Sequence, residues 1–175
     1  MFKLDKDLGF IILCSEMKFG GLRLTVSCIE SYFSGAAITC VVPSNSDPEE
    51  LKVVKSICPT VKGGTSISTM INAGFKKAKK PWNLIVVSGT NIKYNPVLKY
   101  TRFTKSVKDV IYPVVDKSYW KWEDASIHGM LIHKDAFKEV GDFPEEESLP
   151  MCKLLWAAYA MEKGYTFKGL VGKLA

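Results

Sequence analysis

The sequence has no apolar run long enough to cross a bilayer as a helix. The longest early run, residues 9–14, is far shorter than the roughly 20 residues that a helical span needs. This run follows Asp5 and Asp7 and lacks a small-residue cleavage site, so we expect no signal peptide and a cytoplasmic location. The composition, 47% hydrophobic and 24% charged, excludes collagen-like and disordered chains and predicts one globular domain over residues 1–175.

The chain also has little that could build a zinc site. It holds only 2 histidines, His128 and His133, and neither is spaced to join a cysteine pair. The 5 cysteines are odd in number, include no C-x-x-C pair and lie mostly among apolar neighbours. These features predict buried, reduced thiols at Cys14, Cys28, Cys40, Cys58 and Cys152.

Acidic residues are nearly absent from the centre of the chain. Residues 51–122 carry 14 basic side chains and 2 acidic ones, whereas each flanking segment has a net charge of −3. A segment this one-sided must be solvated or must face an anion. The alternatives are a solubilising face, the phosphates of a small ligand, nucleic acid or an anionic surface. The densest tract, residues 76–80, is also compatible with a solvated last helical turn, where cations complement the helix dipole.

Short apolar strands alternate with amphipathic helices along the chain. This alternation predicts βαβ units and a mostly parallel sheet. The last helix has Leu154, Leu155, Ala158 and Met161 on one side, and Gly164 is placed to end it. We expect strands over 9–15, 36–43, 59–62, 83–88, 110–115, 126–133 and 165–170, and helices over 22–33, 48–57, 67–78, 96–107, 134–140 and 150–163.

Five segments carry motif-like sequences in a fixed order. The first strand ends in LCSE at 13–16, and the second continues into VVPSNSD at 41–47. Residues 64–79 read GTSISTMINAGFKKAK, and the strand LIVV follows at 84–87. Residues 133–143 read HKDAFKEVGDF, ahead of a helix that ends in EKGY. In order and spacing these segments resemble the inverting glycosyltransferases of family 2, which have the GT-A fold.

The resemblance implies a three-layer α/β/α sandwich with a mostly parallel, Rossmann-like mixed sheet of the GT-A type. It also implies a nucleotide sugar, or a nucleoside diphosphate, as the ligand. The implied nucleotide-binding residues are Ser15, Glu16 and Asp47 for the base and ribose, Asn72 for support through hydrogen bonds, and Ser88 and Thr90 for the diphosphate.

The chain departs from the family where the chemistry is done. Family members bind a divalent cation through a carboxylate pair after the central strand, but residues 88–91 of this chain read SGTN. We therefore expect no metal cofactor, because hydroxyls alone hold a hard cation poorly. The lysine-rich centre could neutralise a diphosphate instead. The family's catalytic base falls near Cys152 and Lys153, and neither can serve in that role.

Two groups of carboxylates could replace that base. Glu123 and Asp124 follow the aromatic run at 119–122, which could stack on a sugar or a base while a carboxylate takes the proton. A loop packed by its own aromatics explains the same residues. The three glutamates at 145–147 could reach the site only if their loop is remodelled, and a solvated loop is the simpler interpretation.

Three functions are compatible with this sequence. The first is a glycosyltransferase-like protein that binds a nucleotide sugar and transfers the sugar to an unknown acceptor without the usual metal site. The second is a non-catalytic binding or assembly module with the same fold. The third, a nucleic-acid-binding protein that uses the basic centre, is the least favoured because no recognition motif accompanies the charge. Fold alone does not decide between the first two.

Overall fold

The computed structural model describes residues 2–15, 19–114, 126–145 and 148–172. Within these ranges the chain forms seven strands and seven helices. The strands are β1 Leu8–Leu13, β2 Ala37–Val42, β3 Thr60–Lys62, β4 Trp82–Val87, β5 Asp109–Val114, β6 Leu131–His133 and β7 Thr166–Val171. The helices are α1 Leu4–Asp7, α2 Phe19–Tyr32, α3 Pro48–Ile57, α4 Ile67–Lys77, α5 Tyr94–Phe103, α6 Asp135–Glu139 and α7 Leu149–Glu162.

The strands form one mixed sheet in the order β3-β2-β1-β4-β6-β5-β7. β6 runs antiparallel to both of its neighbours, and all the other pairs are parallel. The six parallel strands therefore end at one edge of the sheet, which we call the carboxyl edge. β6 begins at this edge because it runs the other way. The mostly parallel, Rossmann-like mixed sheet predicted from the sequence is confirmed.

Helices cover both faces of the sheet and make the three layers. One face of β1 packs with α2, α3 and α5 through Leu22, Val54 and Val97. The other face packs with α4, α6 and α7, where Trp156 is fully buried. The continuous apolar strands seen in the sequence follow from this arrangement, because a strand covered on both faces buries every side chain. All six residues of β1 are buried.

Local sequence signals set where the helices begin. Asp47 is the N-cap of α3, and its side chain accepts hydrogen bonds from the N–H groups of Glu49 and Glu50. Pro48 occupies the first turn of that helix, where its missing N–H costs nothing. Ser66 and Thr69 form a capping box at the start of α4.

Two details of the sequence prediction are wrong. The strand expected over 126–133 is only β6, because residues 127–129 form a turn in which Gly129 has a φ of 91°. The apolar residues grouped on one side of α7 in the sequence are not the ones that pack: Leu154 is 46% exposed and Met161 is 56% exposed, and Ala158 is also exposed. The buried side instead carries Cys152, Lys153, Trp156, Ala157 and Ala160.

The cysteines are free thiols, as predicted. Four of them are buried and Cys28 is half-buried. Among the described residues, no helix combines the length and apolarity needed to span a bilayer.

Candidate functional site

Three of the predicted nucleotide-binding residues lie at the carboxyl edge on neighbouring strand ends. Leu13 pairs with Val87, so Ser15 and Ser88 follow the ends of adjacent strands. The Ser88 N–H donates to the Leu13 carbonyl at 3.0 Å and continues the pairing beyond the strands. Thr90 lies two residues further along. Ser15 is exposed, while Ser88 and Thr90 are half-buried.

The turn after β4, residues 88–91, is held in place by contacts with α2. We call it the β4 turn. Gly89 has a φ of 96°, a conformation that glycine adopts without strain. Its N–H donates to the Thr25 hydroxyl at 3.0 Å, and that hydroxyl lies 3.0 Å from the Thr90 carbonyl, to which it can donate. A Cβ at Gly21 would lie 3.0 Å from the Gly89 Cα, so α2 touches this turn backbone to backbone. The β4 turn is therefore fixed by the protein itself.

The two hydroxyls of the β4 turn are in different situations. Thr90 Oγ1 donates to the Val87 carbonyl at 2.6 Å. Ser88 Oγ is buried and has no hydrogen-bond partner of good geometry among the described residues. It is nevertheless close to the Cys14 thiol: hydrogen bonds from Cys40 and, more weakly, from Ser88 lower the pKa of that thiol despite its burial. The buried Ser88 hydroxyl thus faces the Cys14 thiol at the strand end.

The β4 turn does not fit a divalent cation. It contains no carboxylate, the Thr90 hydroxyl is engaged by Val87, and Asn91 Oδ1 accepts from the Cys28 thiol at 3.3 Å. Hard cations require several oxygen ligands, usually including carboxylates. Within the described ranges, no group of three or more His, Cys, Asp or Glu side chains could hold a metal ion.

Asp47 lies at the carboxyl edge, where its side chain caps α3. It follows β2, the parallel neighbour of β1, so it leaves the sheet at the same edge as Ser15. Its Oδ1 accepts from the Glu49 N–H at 2.8 Å and from the Glu50 N–H at 3.3 Å. A ligand would therefore compete with the helix cap for Oδ1 but not for Oδ2.

Asn72 is buried and joins α4 to the loop before α7. Its Nδ2 donates to the Phe143 carbonyl at 2.9 Å, and its Oδ1 accepts from the Phe143 N–H at 2.9 Å. The same Nδ2 lies 3.2 Å from Oε1 of Glu145. Since β7 is parallel to β5, α7 begins at the carboxyl edge, and Glu145 lies on the approach to that point. Asn72 therefore holds the Glu145 carboxylate beside this loop, and its role in supporting a nucleotide site stays a prediction.

The start of α7 offers no base of its own. Cys152 and Lys153 are buried there, and the Cys152 thiol donates to the Pro144 carbonyl at 2.7 Å. The predicted catalytic residues Glu123 and Asp124, the predicted base-contacting Glu16, and Glu146 and Glu147 lie outside the described residues.

His128 lies at this edge and was not predicted as a site residue. Its Nδ1 accepts a hydrogen bond from the Val87 N–H at 3.1 Å, immediately before the β4 turn. Burial lowers the pKa of His128, so the ring is neutral at pH 7 and carries its proton on Nε2. His128 lies just before β6, and β6 starts at the carboxyl edge because it runs antiparallel to its neighbours. The sequence could have indicated this position for His128 only if the direction of β6 had been known.

Two lysines flank the same edge. Lys62 ends β3, and its Nζ is 3.4 Å from the Ser44 carbonyl. Lys93 lies two residues after the β4 turn and is exposed. Both lysines therefore lie at or after the end of a strand that finishes at the carboxyl edge.

Comparison with solved structures shows which fold this is. The chain superposes on S. aureus TarS in complex with UDP-GlcNAc with a TM-score of 0.63 and 15% identity, over 95% of this chain and 56% of that one. It superposes on a mannosyltransferase from Pyrobaculum calidifontis in complex with GDP-Man and Mn²⁺ with a TM-score of 0.71 and 10% identity, over 95% and 56% of the two chains. A 4-diphosphocytidyl-2C-methyl-D-erythritol synthase matches with a TM-score of 0.65 and 12% identity, over 97% and 91%.

These similarities establish a GT-A-like fold, as the sequence resemblance implied. The chain spans 35% of the length of the longer TarS structure. No family model matches the sequence, and no curated protein matches it.

Proposed function

We propose that residues 1–175 form a single GT-A-like domain that binds a nucleoside-diphosphate sugar at the carboxyl edge and transfers the sugar without a divalent cation. The observation that carries the proposal is the meeting of Ser15, Ser88, Thr90 and His128 at adjacent strand ends. Open α/β sheets bind their ligands at this edge. Two proteins with the same fold form complexes with UDP-GlcNAc and with GDP-Man.

In this proposal the base and ribose lie over the ends of β1 and β2. Ser15, together with Glu16, contacts the base, and Asp47 uses Oδ2 for a ribose hydroxyl while Oδ1 remains the cap of α3. The fixed backbone of the β4 turn brings Ser88 and Thr90 beside the diphosphate. No new side-chain order has to be created at this turn, which lowers the entropic cost of binding.

The leaving diphosphate is stabilised by protein groups in this scheme. His128 is a neutral hydrogen-bond donor, because its Nδ1 accepts from Val87 and its proton is on Nε2. Lys62 and Lys93 supply positive charge at the same edge, as point charges on flexible stems. Such groups act where charge develops in the transition state, which is often the largest contribution to catalysis.

The transfer itself needs a base for the acceptor hydroxyl. Glu145 is a candidate because Asn72 holds its carboxylate on the approach to the carboxyl edge. Glu123 and Asp124 are the alternative candidates. The acceptor oxygen attacks the anomeric carbon, the carboxylate takes the hydroxyl proton, and the nucleoside diphosphate leaves with the bonding electrons. A positioned base contributes about 10²–10⁴-fold in rate.

Titration calorimetry with UDP, GDP and UDP-GlcNAc tests the binding step. We expect binding that is equal with EDTA and with Mn²⁺. Ser15→Trp should abolish it by filling the space over β1, whereas Ser34→Trp, at an exposed serine of the opposite edge, should not. A ligand present at about 100 times its Kd should also stabilise the fold by about 2.7 kcal/mol. Absence of binding by all three ligands, or binding that requires Mn²⁺, would contradict the proposal.

A hydrolysis and transfer assay separates an enzyme from a binding module. The non-catalytic alternative is favoured by one observation: the start of α7 carries buried Cys152 and Lys153 where the resembling family has its base. Glu145→Gln, Glu123→Gln and Asp124→Asn should each be compared with the unchanged chain for turnover and for nucleotide affinity. Loss of turnover with unchanged affinity in one variant identifies the base. Binding without turnover of any sugar donor supports the module.

A further inference from the structure

The basic centre of the sequence is distributed over several surfaces, and only some of its described cations have ion-pair or hydrogen-bond partners. Lys76 pairs with Asp142, Lys52 pairs with Glu49, and Lys108 lies near Glu139 and donates to the Lys163 carbonyl. Residues 90–108 contain five basic side chains and belong to a longer segment, residues 51–108, that has no acidic residue. This stretch contains α5.

The outer side of α5 and its continuation present cations and apolar groups together. Lys99, Arg102 and Lys105 are exposed and form no ion pair with any described residue. Phe103 is 43% exposed and Val107 is 55% exposed in the same stretch of the chain. We call Lys99, Arg102, Phe103, Lys105 and Val107 the α5 face. The inner side of the helix is anchored in the core by Val97 and Tyr100.

The charge on the α5 face is not neutralised locally. Lys99 and Arg102 are separated by three positions, which puts two like charges side by side on a helix and weakens it. The next acidic residue, Asp109, is buried, and its Oδ2 forms an ion pair with Lys168 Nζ at 2.7 Å. The face thus keeps a repulsive arrangement that an external anion would relieve.

We propose that the α5 face docks on an anionic lipid bilayer. The face combines three long cationic side chains with two exposed apolar ones, so the ammonium and guanidinium groups meet lipid phosphates while Phe103 and Val107 enter the headgroup boundary. A single-stranded nucleic acid would use aromatic stacking platforms in a groove, and an aliphatic Val107 on an exposed turn adds nothing to such a site. This inference is independent of the proposed function, because it involves no residue of the carboxyl-edge site.

The charge count sets the size of the effect. Each cation near an anionic surface strengthens binding by roughly fivefold, so three cations favour anionic over neutral bilayers by about 100-fold at low salt. Screening should remove most of this preference in about 1 M NaCl, where the Debye length is about 3 Å.

Co-sedimentation of the full chain, without nucleotide, tests the docking. The vesicles are phosphatidylcholine alone and phosphatidylcholine mixed equally with phosphatidylglycerol. We expect binding only to the mixed vesicles, and loss of binding in high salt. Lys99→Glu combined with Arg102→Glu should reduce the affinity by more than about 25-fold, from two lost attractions and two added repulsions. Phe103→Ser should weaken binding but leave its salt dependence unchanged.

The matched control reverses the same number of charges elsewhere. Lys77 and Lys79 are exposed, unpaired among the described residues, and lie at the end of α4 on the opposite face of the sheet. Lys77→Glu combined with Lys79→Glu should leave vesicle binding within about threefold, as expected for charges facing away from the bilayer. Equal loss in both double variants, equal binding to neutral vesicles, or tighter binding to polyuridylate than to vesicles would overturn the proposal. Circular dichroism and UDP calorimetry on each variant show that the fold and the carboxyl edge are intact.

Discussion

Asn72 connects two parts of the chain that lie 71 positions apart. Its amide matches the backbone of Phe143 as a donor and an acceptor at once, in the way that two paired strands match each other. No other residue type of this size offers both groups from one planar end. A change at this position therefore affects two backbone groups that have been removed from water.

Asn72→Ala should lower the free energy of unfolding by about 2–4 kcal/mol, because a buried N–H and a buried carbonyl would each be left unpaired at about 1–3 kcal/mol. Urea denaturation followed by circular dichroism measures this loss. The control is Asn45→Ala, at an exposed asparagine, which should change stability by less than about 0.5 kcal/mol. A loss below about 1 kcal/mol for Asn72→Ala would show that water replaces the amide.

The sequence predicted some site residues and their contacts better than others. The resemblance predicted a supporting role for Asn72, but its partner is a backbone group far along the chain, which no local pattern encodes. His128 was missed because its role depends on the direction of β6. Asp47 was predicted to contact a ligand. In the structure it caps α3, and aspartate is a common N-cap residue, so the cap alone explains an aspartate at this position.

At the scale of elements, α2 shows how neighbouring glycines can have opposite roles. A methyl group added at Gly20 would have nothing within 4 Å of it, whereas one added at Gly21 would meet the backbone of Gly89. Both residues lie in the first turn of the helix. The β4 turn cannot move away easily, because Thr25 holds Gly89 and Thr90.

Gly20→Ala should raise the free energy of unfolding by about 0.5–1 kcal/mol, because alanine loses less backbone entropy in a helix. Gly21→Ala should lower it by about 1–3 kcal/mol, because crowding outweighs the same gain in helix propensity. Thermal and urea unfolding of the two variants form a matched pair. If both variants are stabilised, the contact between α2 and the β4 turn is looser than the structure indicates.

The positions of the helices and strands were largely predictable from the sequence. The side of each helix that faces the core was harder to predict. Buried parallel strands give continuous apolar runs, and capping residues mark the helix starts, so the bounds of β1, β2 and α4 fall within a few residues of the prediction. α7 is apolar on all sides, so its sequence carries no signal for the side that packs. Trp156, with its N–H donated to the Gly141 carbonyl, decides that orientation.

At the scale of the whole molecule, an ion pair between the buried Asp109 carboxylate and the half-buried Lys168 links β7 to β5. Asp109 at the start of β5 accepts from the N–H groups of Lys105 and Ser106 and pairs with Lys168 in β7. Burial raises the pKa of Asp109, but Lys168 and the two backbone donors outweigh it and hold the pKa below its ordinary value. The ionised form is therefore favoured by folding.

Asp109→Asn should lower the free energy of unfolding by about 1.5–3 kcal/mol at pH 7, the range for hydrogen bonds to charged groups. Because the folded pKa is lowered, this contribution is complete above the unfolded pKa of about 3.9 and is lost as the pH falls through the folded value. Urea titrations from pH 7 to acid pH should show the two proteins converging below about pH 4.

The comparison variant is Glu49→Gln, whose pair with Lys52 is exposed on both sides. It should differ from the unchanged chain by less than about 1 kcal/mol at pH 7. A constant gap between Asp109→Asn and the unchanged chain down to acid pH would assign the loss to packing instead of charge.

The insertion of β6 between β4 and β5 has a consequence for the order in which the chain folds during synthesis. β1 to β4 can assemble as a parallel half once residue 87 has left the ribosome. β5 then waits, because its described partners begin at Leu131 and Thr166. At about 5–20 residues per second, β6 emerges about 1–3 seconds after β5, and β7 emerges about 2–7 seconds after that. Until β6 emerges, the run Val110–Val114 has two open edges, and Pro113, which lacks an N–H, interrupts the ladder that an intermolecular strand would need.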